Sequence, residues 1–151
     1  MKKELMIDFN IKVAYHTILK MYNFWGKNFG INSTTGYILL NIDLKKGSSA
    51  TEIGYLIGLD FKSPTRILKK MERDSWVIRK KDAFDGRLSR FFLTPIGEEK
   101  REIARKSVLA FNKQILQKIS KEELESFFKV IDKVFGLVMN KEEINNFLKT
   151  I

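Results

Sequence analysis

Along nearly all of this 151-residue chain apolar residues recur at three- and four-residue steps, and that rhythm breaks once, between Trp76 and Leu93. Trp76-Val77-Ile78-Arg79-Lys80 reads as a short strand and Arg90-Phe91-Phe92-Leu93 as its returning partner. Between them, Asp82 to Ser89 holds Asp85-Gly86, a pair suited to a hairpin turn. The expected class is mainly α with one β-hairpin.

The helices announce their own ends. Ile11, Ala14, Tyr15, Ile18, Tyr22 and Trp25 mark an amphipathic helix over about residues 7–28, with Gly26 and Gly30 bracketing its end. Asn32 or Ser33 can cap a second helix through Ile42. Ser49-Ala50-Thr51-Glu52 has capping-box spacing and opens a short helix closed by Gly58. Asp60 to Ser63 offer caps for the next helix, which runs to about Asp74, with Pro64 tolerated only in its first turn. Thr94-Pro95 starts a long helix through Ile119, and Ser120-Lys121-Glu122-Glu123 opens a last one. With no repeat, linker or low-complexity tract, residues 1–151 read as one domain.

Charge narrows the function. The net charge is +10, and 16 Lys/Arg against 7 Asp/Glu in residues 61–118 leave +9 there. Residues 1–60 carry 7 against 5, a net of +2, and residues 119–151 carry 5 against 6, a net of −1. A confined basic surface favours a polyanion, because each phosphate it neutralises releases counterions, while charge alone equally describes a solvated lysine-rich surface and, as a third option, a basic face for acidic membranes. There are no cysteines, which removes disulfides, thiol switches and cysteine zinc sites, and His16 is the single histidine. No metal centre, cofactor or catalytic group is expected, since no nucleophile–base pair, phosphate-cradling glycine loop or ligand cluster is present. No apolar run approaches the roughly 18 to 20 residues of a membrane span, and the N-terminal residues lack a secretory pattern. The expectation is a cytoplasmic protein.

Residues 49–74 have the dimensions of a helix-turn-helix. In the second helix Pro64, Ile67, Leu68 and Met71 form one stripe, while Lys62, Thr65, Arg66, Lys69 and Arg73 lie opposite, flanked by Ser63 and Lys70. That division suits a recognition helix, with Ser63, Thr65 and Arg66 near base edges and Lys69, Lys70 and Arg73 on phosphates. Alone, it equally describes an amphipathic helix with a solvated cationic face. The adjoining hairpin tips the balance, because Arg79, Lys80 and Lys81 lead in, Asp85-Gly86-Arg87 forms its tip and Arg90 leads out. A wing of this kind can set an arginine in the minor groove. Asp85 is expected as a turn former and as an acceptor that orients a nearby arginine. Phe84 and Leu88 could fold back, touch sugar faces or lie exposed.

The segment Ser49 to Thr94 resembles the DNA-binding lobe of the multiple-antibiotic-resistance regulator (MarR) family. The likeness is carried by Ala50-Thr51-Glu52-Ile53-Gly54-Tyr55-Leu56-Ile57-Gly58-Leu59, by Ser63-Pro64-Thr65-Arg66-Ile67-Leu68-Lys69-Lys70-Met71-Glu72, and above all by Asp82-Ala83-Phe84-Asp85-Gly86-Arg87 with Leu93-Thr94. The flanking helices extend it over nearly the whole chain. It implies a winged helix-turn-helix lobe at about residues 32–94 and a helical dimerisation region at about 1–30 and 95–151. It also implies a homodimer on near-palindromic double-stranded DNA, commonly a repressor released by a small ligand. Three residues depart from the pattern: Ser75 stands where glycine is usual, Phe84 where a polar residue is usual, and Pro64 at the start of the recognition helix.

Dimerisation has its own physical argument. Leu124, Phe127, Phe128, Ile131, Val134, Phe135 and Val138, with Ile144, Phe147 and Leu148 beyond, are more apolar surface than a chain this size readily covers. A two-fold dimer would set two recognition helices about 34–36 Å apart, one DNA turn. Tyr15, His16, Trp25, Tyr37 and Phe111 are candidates to line a pocket for a small aromatic effector, as the resemblance implies; aromatic residues at helical spacing also serve as plain core. The rival readings are a nonspecific nucleoid-type DNA binder and a winged-helix protein-interaction module.

Overall fold

Among the described residues six α-helices and three short strands follow one another as α1 (Ile7–Gly26), α2 (Ser33–Asn41), β1 (Ser48–Ser49), α3 (Ala50–Ile57), α4 (Lys62–Arg73), β2 (Val77–Lys81), β3 (Ser89–Leu93), α5 (Pro95–Leu116) and α6 (Lys121–Met139), with short 3-10 turns at Lys3–Leu5 and Lys27–Phe29. The computed structural model describes residues 2–58 and 62–140, with Glu142 and Lys149, and for Ile57, Lys62 and Ser63 the backbone alone. Leu59, Asp60, Ile144, Phe147 and Leu148 lie outside the described residues. Two compact units divide the chain, Met1–Leu109 and Ala110–Ile151.

The expected caps form. Asn32 accepts from the Thr35 amide, Ser49 from Glu52 and Ser120 from Glu123, each as a reciprocal capping box. Thr94 caps α5 by accepting from the Gly97 amide at 3.1 Å, with Pro95 at the first helical position, where no amide is missed. A Cβ at Gly97 would lie 1.9 Å from the Trp76 carbonyl oxygen, so only glycine lets this turn approach that backbone. Gly58 ends α3 in the left-handed conformation, φ 64°.

The sheet differs from expectation. It has three antiparallel strands in the order β1-β3-β2, not a lone hairpin, because Ser48 and Ser49 pair with Phe91 and Arg90. Two residues carry no periodicity, so nothing local marks them as a strand; β3 recruits them. On its other edge β3 pairs with β2 from Val77↔Leu93 to Lys81↔Ser89. The hairpin loop spans residues 82–88 and is not a two-residue turn on Asp85-Gly86. Gly86 does not take the left-handed backbone that such a turn requires.

The core of the first unit gathers Ile31, Ile38, Leu39, Ile42, Ile53, Leu68, Met71, Trp76, Val77 and Phe91. Pro64, Leu68 and Met71 on α4 are buried and Ile67 half-buried, so the inward stripe of this helix is as expected. In the second unit no residue of α6 is buried.

Helix α4 ends in a Schellman motif. The Trp76 amide donates to the Met71 carbonyl at 2.8 Å and the Ser75 amide to the Glu72 carbonyl at 3.1 Å, while Met71 and Trp76 supply the accompanying apolar contact. That geometry needs a left-handed residue, and Ser75 has φ 60°, the only non-glycine with positive φ among the described residues. Left-handed backbone costs a residue with a Cβ about 1–2 kcal/mol, partly offset because glycine loses more chain entropy on folding. Ser75→Gly should therefore stabilise the protein by about 0.5–1 kcal/mol, read as a higher urea midpoint at unchanged slope. An unchanged or lower midpoint would show that the serine backbone is not strained.

Candidate nucleic-acid interface

Helix α4 turns Thr65, Arg66, Lys69, Lys70 and Arg73 to solvent, opposite its buried stripe. Arg66, Lys70 and Arg73 border one groove with Asn32, Thr34 and Thr35 at the start of α2. Lys70 pairs with Asp74 one turn on, an exposed i,i+4 contact of small energetic weight. No ion pair of Arg66, Lys69 or Arg73 is found among the described residues, which leaves their charge available. The side chains of Lys62 and Ser63 lie outside the described residues.

On the wing, Arg79, Lys80, Lys81 and Arg87 are all exposed, and the Lys80 ammonium lies 5.1 Å from the centre of the Phe92 ring. Arg87 sits at the tip, its amide donating to Asp85 Oδ1 at 2.9 Å, and no ion pair of its side chain is found among the described residues.

Arg90 is committed within the fold. Its guanidinium donates to the Asp82 carboxylate, to the Gly47 carbonyl at 3.0 Å and to both oxygens of Glu52 at 3.2 and 3.3 Å. Those partners lie on three different segments: the wing, the turn before β1 and helix α3. The neighbouring carboxylates hold Arg90 in its charged form, Asp82 first among them. A side chain so engaged is placed to set the angle of the wing against the helix-turn-helix.

Asp82 was not singled out by the sequence reading, yet it organises the tip. Its Oδ1 accepts from the amides of Phe84 at 2.8 Å and Asp85 at 3.0 Å while Oδ2 takes Arg90. The orientation of an arginine, expected of Asp85, thus falls to Asp82 and Glu52, and Asp85 accepts instead from the backbone of Arg87. A signal for this existed, since Asp commonly folds its carboxylate onto amides two and three residues on. The amides of Asp85 and Phe84, then Arg90, pull the Asp82 carboxyl from the ordinary 3.8 down to about 2, although its side chain is only 7% exposed. Glu52 is likewise lowered, by the Ser49 amide first and then by Arg90.

Tyr22 links two of the candidate pocket residues, its ring centre 6.0 Å from that of Trp25 and 6.4 Å from that of Tyr37. Tyr37 lines a small cavity with Tyr22, Leu40, Ile103 and Val108, beside the polar Asn32 and Ser33. Its volume of about 30 Å³ accommodates little more than a water. Burial raises the phenol pKa of both Tyr22 and Tyr37. Tyr15 and His16 stack edge-on to one another at 5.5 Å on the exposed side of α1, and Trp25 is exposed beside Tyr22. Phe111 belongs to the second unit and is half-buried. Among the described residues no group of three potential metal ligands occurs, and no helix is long and apolar enough to cross a membrane.

A two-faced basic helix beside a basic wing on a three-stranded sheet defines a winged helix-turn-helix protein. Its fold is similar to that of solved MarR-type regulators. The chain matches Staphylococcus aureus MepR, solved in complex with DNA, with a TM-score of 0.82 at 18% identity, over 89% of this chain and 99% of that one. It matches wild-type MarR of E. coli in its apo form with a TM-score of 0.70 at 18% identity, over 86% and 97% of the two chains. In sequence it is 27% identical over 145 residues to the HTH-type transcriptional regulator SarZ of Staphylococcus saprophyticus subsp. saprophyticus, covering 96% of this chain and 89% of that protein. No protein-family model matches the chain. The resemblance read from the wing and the helix-turn-helix is thus matched by the fold.

The depressed Asp82 pKa gives a pH test. A folded pKa below the unfolded one contributes stability that is complete above about pH 4 and is lost as pH falls toward 2. Asp82→Asn should therefore lower the denaturation midpoint at pH 7, and the gap to the parent should close between pH 4 and pH 2. A gap independent of pH would mean that the carboxylate charge does not hold the tip.

Proposed function

We propose that this protein is a sequence-specific DNA-binding transcriptional regulator and not an enzyme, a homodimeric repressor on a pseudo-palindromic operator. The observation that carries the reading is the sorting of its cations. Arg90 is tied into the scaffold, whereas Arg66, Lys69 and Arg73 on α4 and Arg87 on the wing tip stay exposed on elements of groove-reading shape. On this reading α4 enters the major groove with Thr65 and Arg66 toward base edges, and Lys62 and Ser63 extend its N-terminal end. Lys69, Lys70 and Arg73 meet phosphates. Asp85 and Gly86 shape the tip that carries Arg87 to the minor groove, and Arg90 supports the wing from behind.

Binding should be selected from the organism's own genomic fragments, then measured against competitor DNA over a salt series. Specific sites should survive competitor, and affinity should fall steeply with salt. Equal affinity for every duplex would turn the reading to a nucleoid-type binder, and no binding at low salt would leave an interaction module. Arg87→Ala should cost about 1–3 kcal/mol and reduce the salt slope by about 1, whereas Arg66→Ala should also change the selected motif. Retention of the parent motif by Arg66→Ala would make that residue a phosphate contact.

Dimerisation is supported by apolar surface left uncovered on each unit. In α6, Phe128 is 54% and Phe135 61% exposed, and in α1 the side chains of Ile7, Ile11, Val13 and Phe24 are exposed. Patches of this kind mark interfaces. Phe135→Asp should shift sedimentation from dimer to monomer at micromolar concentration, and an unchanged dimer would place the interface elsewhere.

An effector, on this reading a small aromatic ligand, would enter at Tyr22 and Tyr37, whose cavity must widen to receive it. Binding ligands generally needs several hundred Å³. Tyr15, His16 and Trp25 would then border the approach along α1.

A further inference from the structure

Phe84 is the most exposed large apolar side chain among the described residues, at 101% of its full accessibility. It stands where two features meet. The first is rigidity. Its amide donates to Asp82 Oδ1 at 2.8 Å, the next amide goes to the same oxygen, and the loop is closed by Leu88 N–H to the Asp85 carbonyl at 2.9 Å and Asp82 N–H to the Leu88 carbonyl at 3.1 Å. The ring is therefore presented by a preformed turn, three residues from Arg87. The second is charge, since Lys80, Lys81 and Arg87 surround this loop in exposed positions.

An exposed aromatic ring among cations gains little from its own fold, because it buries no surface there. Leu88, in the same loop, is 48% exposed, so the tip covers that side chain far more than it covers Phe84. A partner that suits this surface must be anionic and must offer apolar faces at close range. The duplex minor groove does both, with phosphates along its rims, deoxyribose faces as walls and base steps that admit an apolar wedge. We propose that Phe84 is a specificity-determining wedge, which enters the minor groove beside Arg87 and packs on sugars or parts a flexible pyrimidine–purine step. This rests on the DNA-binding reading above. Arg87 supplies the electrostatic hold, and Phe84 makes the contact depend on how readily that step opens.

The two residues are separable by salt. Full-length protein is titrated onto a duplex site selected with the parent protein, at several salt concentrations, with Phe84→Ala, Phe84→Trp and Arg87→Ala in parallel. Phe84→Ala should weaken binding about tenfold with an unchanged salt slope, since an apolar contact releases no counterion, and Phe84→Trp should restore most of the affinity. Arg87→Ala should weaken binding and also flatten the slope by about 1. Motifs selected by Phe84→Ala should lose preference for TA or CA steps where the wing lies, and the bend read by end-to-end energy transfer should shrink. Melting temperatures equal to the parent would show that the fold is untouched, as expected for a ring with no intramolecular contact.

Parent-like affinity, motif and bend in Phe84→Ala would overturn the wedge while leaving the DNA-binding reading intact. A loss that tracks salt would overturn it as well, by making the loop purely electrostatic. Loss of binding to anionic phosphatidylserine vesicles without loss on DNA would assign the ring to a membrane surface. Failure of the parent to bind any duplex would instead remove the reading on which the proposal stands.

Discussion

One guanidinium holds the basic half of this molecule in shape. Arg90 leaves β3 and is shared among Asp82 at the root of the wing loop, Glu52 in the first turn of α3 and the Gly47 carbonyl before β1. Charge-assisted bonds of this kind are stronger and more directional than neutral ones, and a partly buried guanidinium is costly to leave half-satisfied. Its two carboxylate partners have other tasks, Glu52 closing the capping box of α3 and Asp82 folding the wing tip. Moving Arg90 would therefore disturb a helix start, a loop and a strand pairing together. The wing is thus tied to the start of α3 through one shared cation as well as through the pairing of β1 with β3.

The remaining cations divide by the same criterion. Arg101 donates twice, at 2.8 Å, to the carbonyls of Leu39 and Ile42 and so closes the C-terminal end of α2. Lys100 donates to the Phe29 carbonyl and lies 5.4 Å from the centre of the Trp76 ring. These side chains hold the frame. Arg66, Lys69, Arg73 and Arg87 are exposed, and their positive field is free to act on a polyanion. The +9 of residues 61–118 is thus less uniform than a count suggests: part is structural, and the surface that the proposed DNA reading needs is made by the rest.

Burial is equally uneven. The buried apolar residues fall between Ile31 and Phe91, apart from Ala104. Helix α1 buries only Gly26 and α6 buries nothing, although both carry large apolar side chains. Helices of about 20 residues are not held by propensity alone in water and need a packed face. That physical demand, more than the pattern of any single residue, supports a second copy of the chain as what completes them.

Local chemistry could be read from the sequence wherever a short stretch decides its own backbone. The cap at Asn32, the capping boxes at Ser49 and Ser120, the Thr94-Pro95 start, Gly58 as a stop, the inward stripe of α4 and the strands on either side of the wing are all of this kind. Serine at position 75 stood out only through the resemblance, and the structure supplies the reason, a left-handed backbone that favours glycine. What the tertiary structure alone decided is which distant groups meet. The two-residue strand β1 exists only because β3 offers it an edge, and the wing tip is a loop folded by Asp82, not a tight Asp-Gly turn. Arg90, a candidate contact in the sequence, is drawn into a shared network because Gly47 and Glu52, 43 and 38 residues away, arrive beside it. Spacing along a chain determines hydrogen bonds within a turn or two. A charge that is shared between segments is assigned only when the core has brought those segments together.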